Sequence, residues 1–475
     1  MRVAVLLLPA LLVSMDLSIL FVAAPSISAA LTPTGTEWLW MMDVYGFVMA
    51  GLLITMGSLG DRIGRRRLLL AGSALFGAAS ALLALATEPW TFVLARALLG
   101  IGGATLAPAT LSLIRALYPD ERRRRAAVGA WTVAFTGGSV AGPIAGGFLL
   151  EHFRWGSIFL VNVPVMLLLL VAAPLLIEES RDPEDARFDL LGAVLALPAV
   201  LGLVFALKHA ASHGPDARAV AAAAVGAAFT AAFVLRQRRA AHPLIDAGMF
   251  RARAFSAAIA ANTTISLAAS GVGVLAFTFM QAVHGLSALH AALAALPTFA
   301  GTIAGATLAG VLAPRVRPAL LLASGLALVA AGFAVIAQIG ADTPLWAFIA
   351  GYTVLTVGTG VTGTLANSLV LGSAPPERAG AAAGVSETST ELGAALGIAV
   401  LGTAATTVYR TTMEDTAATG PATETIAAAL TDPGLADAAT AAYTSGVTTA
   451  AGISAAVLIP VIALVAWALR GTRPS

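Results

Sequence analysis

Cysteine is absent from this 475-residue chain. Its absence excludes a disulfide framework, a thiolate metal site and a cysteine nucleophile. Charge is scarce: 11% of residues are Asp, Glu, Lys or Arg, against about 25% in soluble domains. So few charges cannot solvate the surface of a protein this large, so most of that surface must face lipid. The formal net charge is +2, which is no polyanion-binding signature, and no nucleic-acid partner is expected. The six histidines, at 152, 209, 213, 242, 284 and 290, fall near predicted span ends or loops without metal-ligand spacing, so no metal is expected. No G-x-x-x-x-G-K-[ST] run occurs, which disfavours an ATP-driven pump. No nucleotide loop or nucleophile–base arrangement supports an enzyme, although fold alone never proves function.

What the chain has in abundance is apolar length. Hydrophobic residues make up 58% of it, and the mean hydropathy is +0.89. Fourteen apolar stretches reach the roughly 20 residues that cross a bilayer as a helix. They lie at about 3–24, 39–59, 68–87, 90–114, 126–150, 157–177, 189–209, 217–235, 254–282, 288–312, 319–340, 344–372, 381–408 and 447–469. The first stretch follows Arg2 and could be mistaken for a signal peptide ending at Ser26–Ala29. It carries Asp16, and cleavage would spoil the charge topology, so it is read as an uncleaved span.

The loops test the count. With the N-terminus inside, 22 of the 27 basic residues fall on inner segments. Four fall outside (Arg154, Lys208, Arg218, Arg410), and Arg96 lies within a span. This bias fits the positive-inside rule. It places both termini in the cytoplasm and requires an even span count. The segment at 236–253 reads as a cytoplasmic linker. The one at about 410–446, rich in Ala, Thr, Asp and Glu, reads as an exposed and poorly ordered outer loop.

An internal repeat organises the spans. Gly57-Ser-Leu-Gly-Asp61-Arg62 after span 2 is matched by Gly310-Val-Leu-Ala-Pro314-Arg315 after span 10. Gly100-Ile-Gly102, leading to Pro119-Asp120-Glu121-Arg122, is matched by Gly358-Thr-Gly360, leading to Pro376-Glu377-Arg378. The simplest account is an all-α integral membrane protein of two six-helix bundles, at 1–180 and 251–475, with two inserted helices and a linker at 181–250. Parallel repeats of this kind put a substrate site near mid-membrane between the halves.

Three motifs carry a resemblance. The loop Gly57-Ser-Leu-Gly60-Asp61-Arg62-Ile-Gly64-Arg65-Arg66-Arg67 has glycines that permit a tight turn. Its Asp61 is suited to cap the next helix or pair with an arginine. A generic basic loop explains the arginines but not this order, which resembles the signature loop of the major facilitator superfamily. Arg96-Ala-Leu-Leu-Gly100-Ile-Gly102-Gly103 resembles the family's span-4 motif. Gly138-Ser-Val-Ala-Gly142-Pro143-Ile-Ala-Gly146-Gly147 resembles the span-5 motif of its antiporters. With fourteen spans, Asp16 and Pro25 around span 1, and Trp155 through Asn162-Val-Pro164, the chain resembles the 14-span drug:proton antiporter subfamily of multidrug efflux transporters. The second signature loop departs from the pattern, with Pro314 where Asp61 stands. In span 5, small residues let helices approach closely, and Pro143 interrupts the helix ladder. Plain packing explains the same residues.

Ionisable groups inside the bilayer cost at least about 2.5 kcal/mol each at a helix centre. Five lie well inside spans: Asp16, Asp43, Arg96, Glu387 and Glu391. At 1.5 Å per residue Asp16 is about 20 Å from the inner face and Arg96 about 9 Å from the outer face. In a core about 30 Å thick these heights match, so an Asp16–Arg96–Asp43 cluster is expected in the outer half of the first bundle. It reads either as a proton site or as a structural ion pair. Glu387 and Glu391, four apart, share one face of span 13 and cannot both ionise cheaply. The family resemblance assigns acids in this span to cationic drugs or protons; the alternative is a polar stripe without a direct role. Trp38, Trp40, Tyr45, Trp131, Phe277 and Phe279 offer rings to a cation, or serve as packing and interface belts.

The leading expectation is a proton-driven antiporter in the cell membrane that exports lipophilic, cationic toxic compounds, antibiotics among them. Its partners are then small hydrophobic or cationic molecules, protons and membrane lipid, and the proton gradient stands in place of a cofactor. A dedicated exporter of one metabolite or lipid, and an uptake symporter, remain alternatives. Monomer and oligomer stay open.

Overall fold

The computed structural model describes residues 2–118, 120–180, 190–214, 216–239, 247–373, 379–416 and 418–471. Among them every expected span coincides with a helix and no strand occurs. The helices are α1 (Arg2–Leu31), α2 (Gly35–Ile63), α3 (Arg65–Ala84), α4 (Pro89–Leu117) and α5 (Glu121–His152). Then come α6 (Ser157–Leu176), α7 (Leu190–His213), α8 (Ala217–Arg239), α9 (Arg253–Val283) and α10 (Ala288–Leu312). The last four are α11 (Pro318–Ile336), α12 (Leu345–Ser373), α13 (Ala379–Glu414) and α14 (Ala436–Ala468). Twelve described helices are long and apolar enough to cross a membrane. The other two are α2, which carries Glu37 and Asp43, and α7, whose described apolar stretch is the shorter Val194–Ala206. Helices are the expected answer in lipid because they satisfy their own backbone hydrogen bonds.

Hydrophobic burial divides the molecule in two. One core is built almost wholly from α1–α6, the other from α9–α14. Helices α7 and α8 pack on each other through Gly202 and Gly226, where an added Cβ on Gly202 would lie 2.9 Å from the Gly226 Cα. They reach the rest through α7, which joins Val204 to Phe47 of α2 and Ala395 of α13. Large apolar side chains such as Leu85, Val133, Leu175 and Trp346 are exposed around the perimeter, as a lipid-facing surface requires.

The two bundles meet on one side. The turns carrying Arg62, Arg65–Arg67, Arg315 and Arg317 define a basic face. Contacts that join the bundles lie toward the opposite face. Gln281 Nε2 donates to the Val22 carbonyl at 2.8 Å, and Ser287 Oγ donates to Glu151 Oε1. Gly46 sits against Ala395, and Gly402 against Leu39. All of these lie in the halves of their helices away from the basic face, except Ala395, which stands at the middle of α13.

The segment read as a disordered loop at 410–446 is built differently. Helix α13 runs on to Glu414, and α14 begins at Ala436. Between them stand a 3-10 turn at Gly420–Thr423 and a short helix at Ile426–Ala429. Tyr409, Met413, Ile426, Ala429 and Ala442 form a small core of their own. The polar composition suggested solvation, but its scattered apolar residues converge once the two long helices extend past the membrane.

Candidate functional site

Helix α5 holds α1 at very close range. Gly138 faces the Leu11 carbonyl, Gly142 faces Ser18 and the Met15 carbonyl, and Gly146 faces Ile19, each closer than any Cβ would allow. Ser14 and Ser139 share a hydrogen bond across the same seam. The four-residue spacing puts these glycines on one stripe, and Pro143 lies within it. Gly147, on the neighbouring face, touches the other bundle instead: an added Cβ would lie 2.6 Å from Leu289 Cα of α10. The span-5 motif therefore spans both contacts, α1 within the bundle and α10 across the seam.

Asp16 sits on α1, buried to 1% exposure, and Arg96 on α4 is equally buried. Arg96 Nη1 donates to Asp16 Oδ2 at 2.7 Å. Asn162, from the start of the longer α6 segment, donates to Asp16 Oδ1 at 3.4 Å and to Ser80 Oγ at 3.1 Å. Tyr45 of α2 lies with its ring centroid 4.6 Å from the Arg96 guanidinium carbon. A buried guanidinium thus has a carboxylate on one side and a π face on another, which offsets its desolvation. Gly100 and Gly103 on α4 make room for Tyr45, whose hydroxyl would lie 2.7 Å from a Cβ on Gly103.

Asp43, the third member of the expected cluster, is buried to 1% on α2. It shares a helix face with Gly46 and Phe47, three and four residues on, and these contact α13 and α7. Tyr45, two residues from Asp43, points the other way toward Arg96. The ion pair of Arg96 is made with Asp16, and Asp43 stands on the α2 face whose Gly46 and Phe47 meet α13 and α7.

Glu391 is 5% exposed on α13, and Glu387, one turn toward the basic face, is half-buried. Ala395, four residues past Glu391, is the residue that Gly46 touches. Glu391 therefore lies on the α13 face turned to the first bundle, and Tyr45 is within electrostatic reach of both Asp16 and Glu391. Beside it runs a polar ladder. Asn262 Nδ2 donates to Thr390 Oγ1 at 2.7 Å and to Ser386 Oγ at 3.3 Å, and Ser386 Oγ donates to Asn367 Oδ1 at 3.1 Å.

The signature loop works through a residue its motif does not contain. Helix α3 has no side-chain cap from Gly64. Its first-turn amides go instead to the Glu179 carboxylate just past α6: Arg66 N–H donates at 2.9 Å and Arg67 N–H at 3.3 Å. Arg65 N–H donates to the Ser180 carbonyl, and Arg66 Nη1 to the Ile177 carbonyl, both at 3.0 Å. The capping role expected of Asp61 for α3 is filled by Glu179; the Asp61 side chain itself lies outside the described residues. Gly57 and Gly60 stand in the last turns of α2, Gly57 near Pro108 and Gly60 against Leu68, and Arg62 is exposed there.

Among the expected rings, Trp131 donates to Thr110 Oγ1 at 3.1 Å and stacks on Phe135. Phe277 and Phe279 are core residues, Trp40 packs toward Phe205, and Trp38 lines a cavity at the bundle seam. Sequence reasoning named Asn162 only within a resemblance and passed over Glu179 and the single role of Tyr45. The Asn-Val-Pro run and the Glu178-Glu179 pair at a span end were their only signals. Among the described residues no cluster of three His, Asp or Glu is arranged to hold a metal ion.

A family model described as the Major Facilitator Superfamily matches residues 6–398. The multidrug efflux pump LfrA of Mycolicibacterium smegmatis is 44% identical, covering 98% of this chain and 95% of its own length. The methyl viologen resistance protein SmvA of Salmonella typhimurium is 35% identical over 82% of this chain and 79% of its own. The puromycin resistance protein pur8 of Streptomyces alboniger is 32% identical over 99% and 91%. In fold, a bacterial homologue of the human lysosomal transporter Spinster, solved inward-facing and unoccupied, superposes with a TM-score of 0.71 at 17% identity, over 99% of this chain and 96% of that one.

Proposed function

The chain belongs to the major facilitator superfamily of membrane transporters, and from that membership we propose that it is a proton-coupled antiporter exporting lipophilic cations, drugs among them. The observation that carries this reading is the pairing of two desolvated acidic centres across the bundle seam. Asp16, bonded to Arg96, lies in the first bundle, and Glu391 with Glu387 lies in the second. One arginine stands against these three carboxylates, so the seam favours positive charge. The relatives, a multidrug efflux pump and resistance proteins to methyl viologen and puromycin, support drugs as cargo.

In this reading the basic face is cytoplasmic, as arginine-rich loops favour, and both termini lie there. The bundles then close on the outer side, so the geometry is inward-facing. A cation entering from the cytoplasm reaches Glu387 and Glu391 as a proton leaves. After the bundles rock about the α2–α13 and α5–α10 contacts, an outside proton takes the carboxylate and the cation departs. Arg96 and Asn162 hold Asp16 in place, and Tyr45 stands between the two centres. The protein needs no cofactor, since the proton gradient supplies the work.

The test is ethidium efflux from energised inverted vesicles, with and without a proton gradient. Wild type should show gradient-dependent transport, and Asp16→Asn and Glu391→Gln should lose most of it while still inserting. Transport that is indifferent to a collapsed gradient would remove proton coupling. Failure to move ethidium, methyl viologen and other unrelated cations would remove the cation claim and favour a dedicated exporter.

A further inference from the structure

A cavity of about 390 Å³ lies at the bundle seam near the face away from the arginine-rich loops. Its walls come from the ends of α1 and α2 in one bundle and from α9, α13 and α14 in the other, with residues of the Glu424–Leu430 segment as its cap. We propose that this cavity is a second binding site, on the exit side, for a lipophilic monocation gripped by Trp38, Tyr409, Tyr443 and the Glu424 carboxylate. The proposal rests on the export reading above and deepens it.

The chemistry of the walls points to that ligand. The volume falls in the range of about 300–1,000 Å³ typical of small-molecule sites. Three aromatic rings line it, and among the described residues Glu424 is the one charged lining side chain, with no Lys, Arg or His. Rings with a carboxylate and no base favour an organic cation over an anion or a neutral molecule. The rings are anchored by their polar ends. Tyr409 Oη donates to the Ala422 carbonyl at 3.0 Å, and Tyr443 Oη to the Leu275 carbonyl at 3.3 Å. Glu424 Oε2 accepts from Gly35 N–H, the start of α2, at 3.1 Å, so one contact both places the charge and ties the cap to the first bundle. An acyl chain would fit the apolar wall but gains nothing from Glu424.

The site is distinct from the mid-membrane acids. Tyr409 is eighteen residues beyond Glu391 on α13, about 27 Å along the helix axis at 1.5 Å per residue. A cation leaving Glu391 toward the outer side would meet this cavity next.

The absence of native cysteine makes the test direct. Thr406→Cys places one thiol on the cavity wall, and Thr425→Cys places one on the cap. The alkylation rate by N-ethylmaleimide is measured on the full purified chain, with tetraphenylphosphonium or with uncharged triphenylphosphine oxide. At a concentration about ten times its Kd the cation should slow labelling about tenfold, by occupancy alone, and the neutral compound should not. Adding Glu424→Gln keeps an acceptor for Gly35 N–H but removes the charge, and should abolish protection. Trp38→Leu should weaken it. The proposal is overturned if the cation gives no protection, if the neutral compound protects equally, or if protection survives Glu424→Gln. It also fails if neither thiol reacts without ligand, since the cavity is then closed to small molecules. Adding Glu391→Gln separates the two claims. Lost efflux with intact protection at residue 406 keeps this site and the export reading apart. Protection in a Thr406→Cys chain that is otherwise native but exports no cation would sink only the latter.

Discussion

A buried guanidinium such as Arg96 is tolerable only while its partners stay in place. Removing one member of a buried ion pair typically costs about 3–5 kcal/mol, because the survivor is left charged and unpaired. Arg96→Met strands the Asp16 carboxylate, whereas Asp16→Asn leaves an acceptor for the 2.7 Å bond. Thermal unfolding of the purified variants should therefore rank Arg96→Met as the more destabilised, even though both lose efflux. Melting of both variants at the wild-type temperature would mean that the pair contributes nothing to the fold. Gly64 presents a different residue-scale constraint. Its φ is +112°, and an added Cβ would lie 2.6 Å from the Glu179 side chain. A side chain in that backbone region costs about 1–3 kcal/mol. Gly64→Ala should lower the melting temperature more than Gly129→Ala, whose Cβ would meet nothing within 4 Å. Both acids of the Asp16–Glu391 pair could be picked out from the sequence, because charge inside an apolar span is conspicuous. Tyr45 and Asn162 could not, because a tyrosine or asparagine in a span has many bland uses until its neighbours are known.

Helices here are held by close backbone approach more than by apolar bulk. Lipid tails are as apolar as leucine, so helix pairing in a membrane relies on small residues and interhelical contacts. The stripe Gly138, Gly142 and Gly146 against α1 is the clearest case. Gly142→Val would drive a side chain into Ser18 and the Met15 carbonyl, one residue from Asp16. Efflux by this variant should fall severely while α7, which touches α2 and α13 instead, and α8 on its back stay packed. Limited proteolysis beside the transport assay reads both. At the turn between α7 and α8, Asp216 accepts from Ala219 N–H at 2.8 Å and pairs with His209 at 2.9 Å. The Ala219 amide first, then His209, hold its carboxyl below the ordinary value of 3.8. A depressed carboxyl contributes stability above its unfolded value and loses it as pH falls through the folded one. Acid melting of Asp216→Asn and wild type should therefore converge below about pH 3.8. Helix positions were readable because apolar length and loop charge are both one-dimensional patterns. The span-5 glycines were readable as packing residues, but their division between α1 and α10 was not.

At the scale of the whole molecule, transport requires that the seam open on alternate sides. Gly402 and Leu39 meet across α13 and α2, where an added Cβ on Gly402 would sit 3.0 Å from the leucine side chain. In this cysteine-free chain, Leu39→Cys with Gly402→Cys should be joined by a short reversible thiol crosslinker. Efflux should stop when the link forms and return on reduction. Continued transport in a fully linked population would rule out rocking at this contact. The repeat at 57–62 and 310–315 led to the expectation of two like bundles, and span length with loop charge to the expected positions of the helices. Those quantities are local sums of hydropathy and charge, so sequence carries them whole. Which side of the seam is shut, that Arg96 chose Asp16, that Glu179 rather than a residue of the motif caps α3, and that residues of 424–430 roof a cavity were decided only in three dimensions. Each depends on groups tens to hundreds of residues apart meeting within a few ångströms, and no one-dimensional pattern records such a distance.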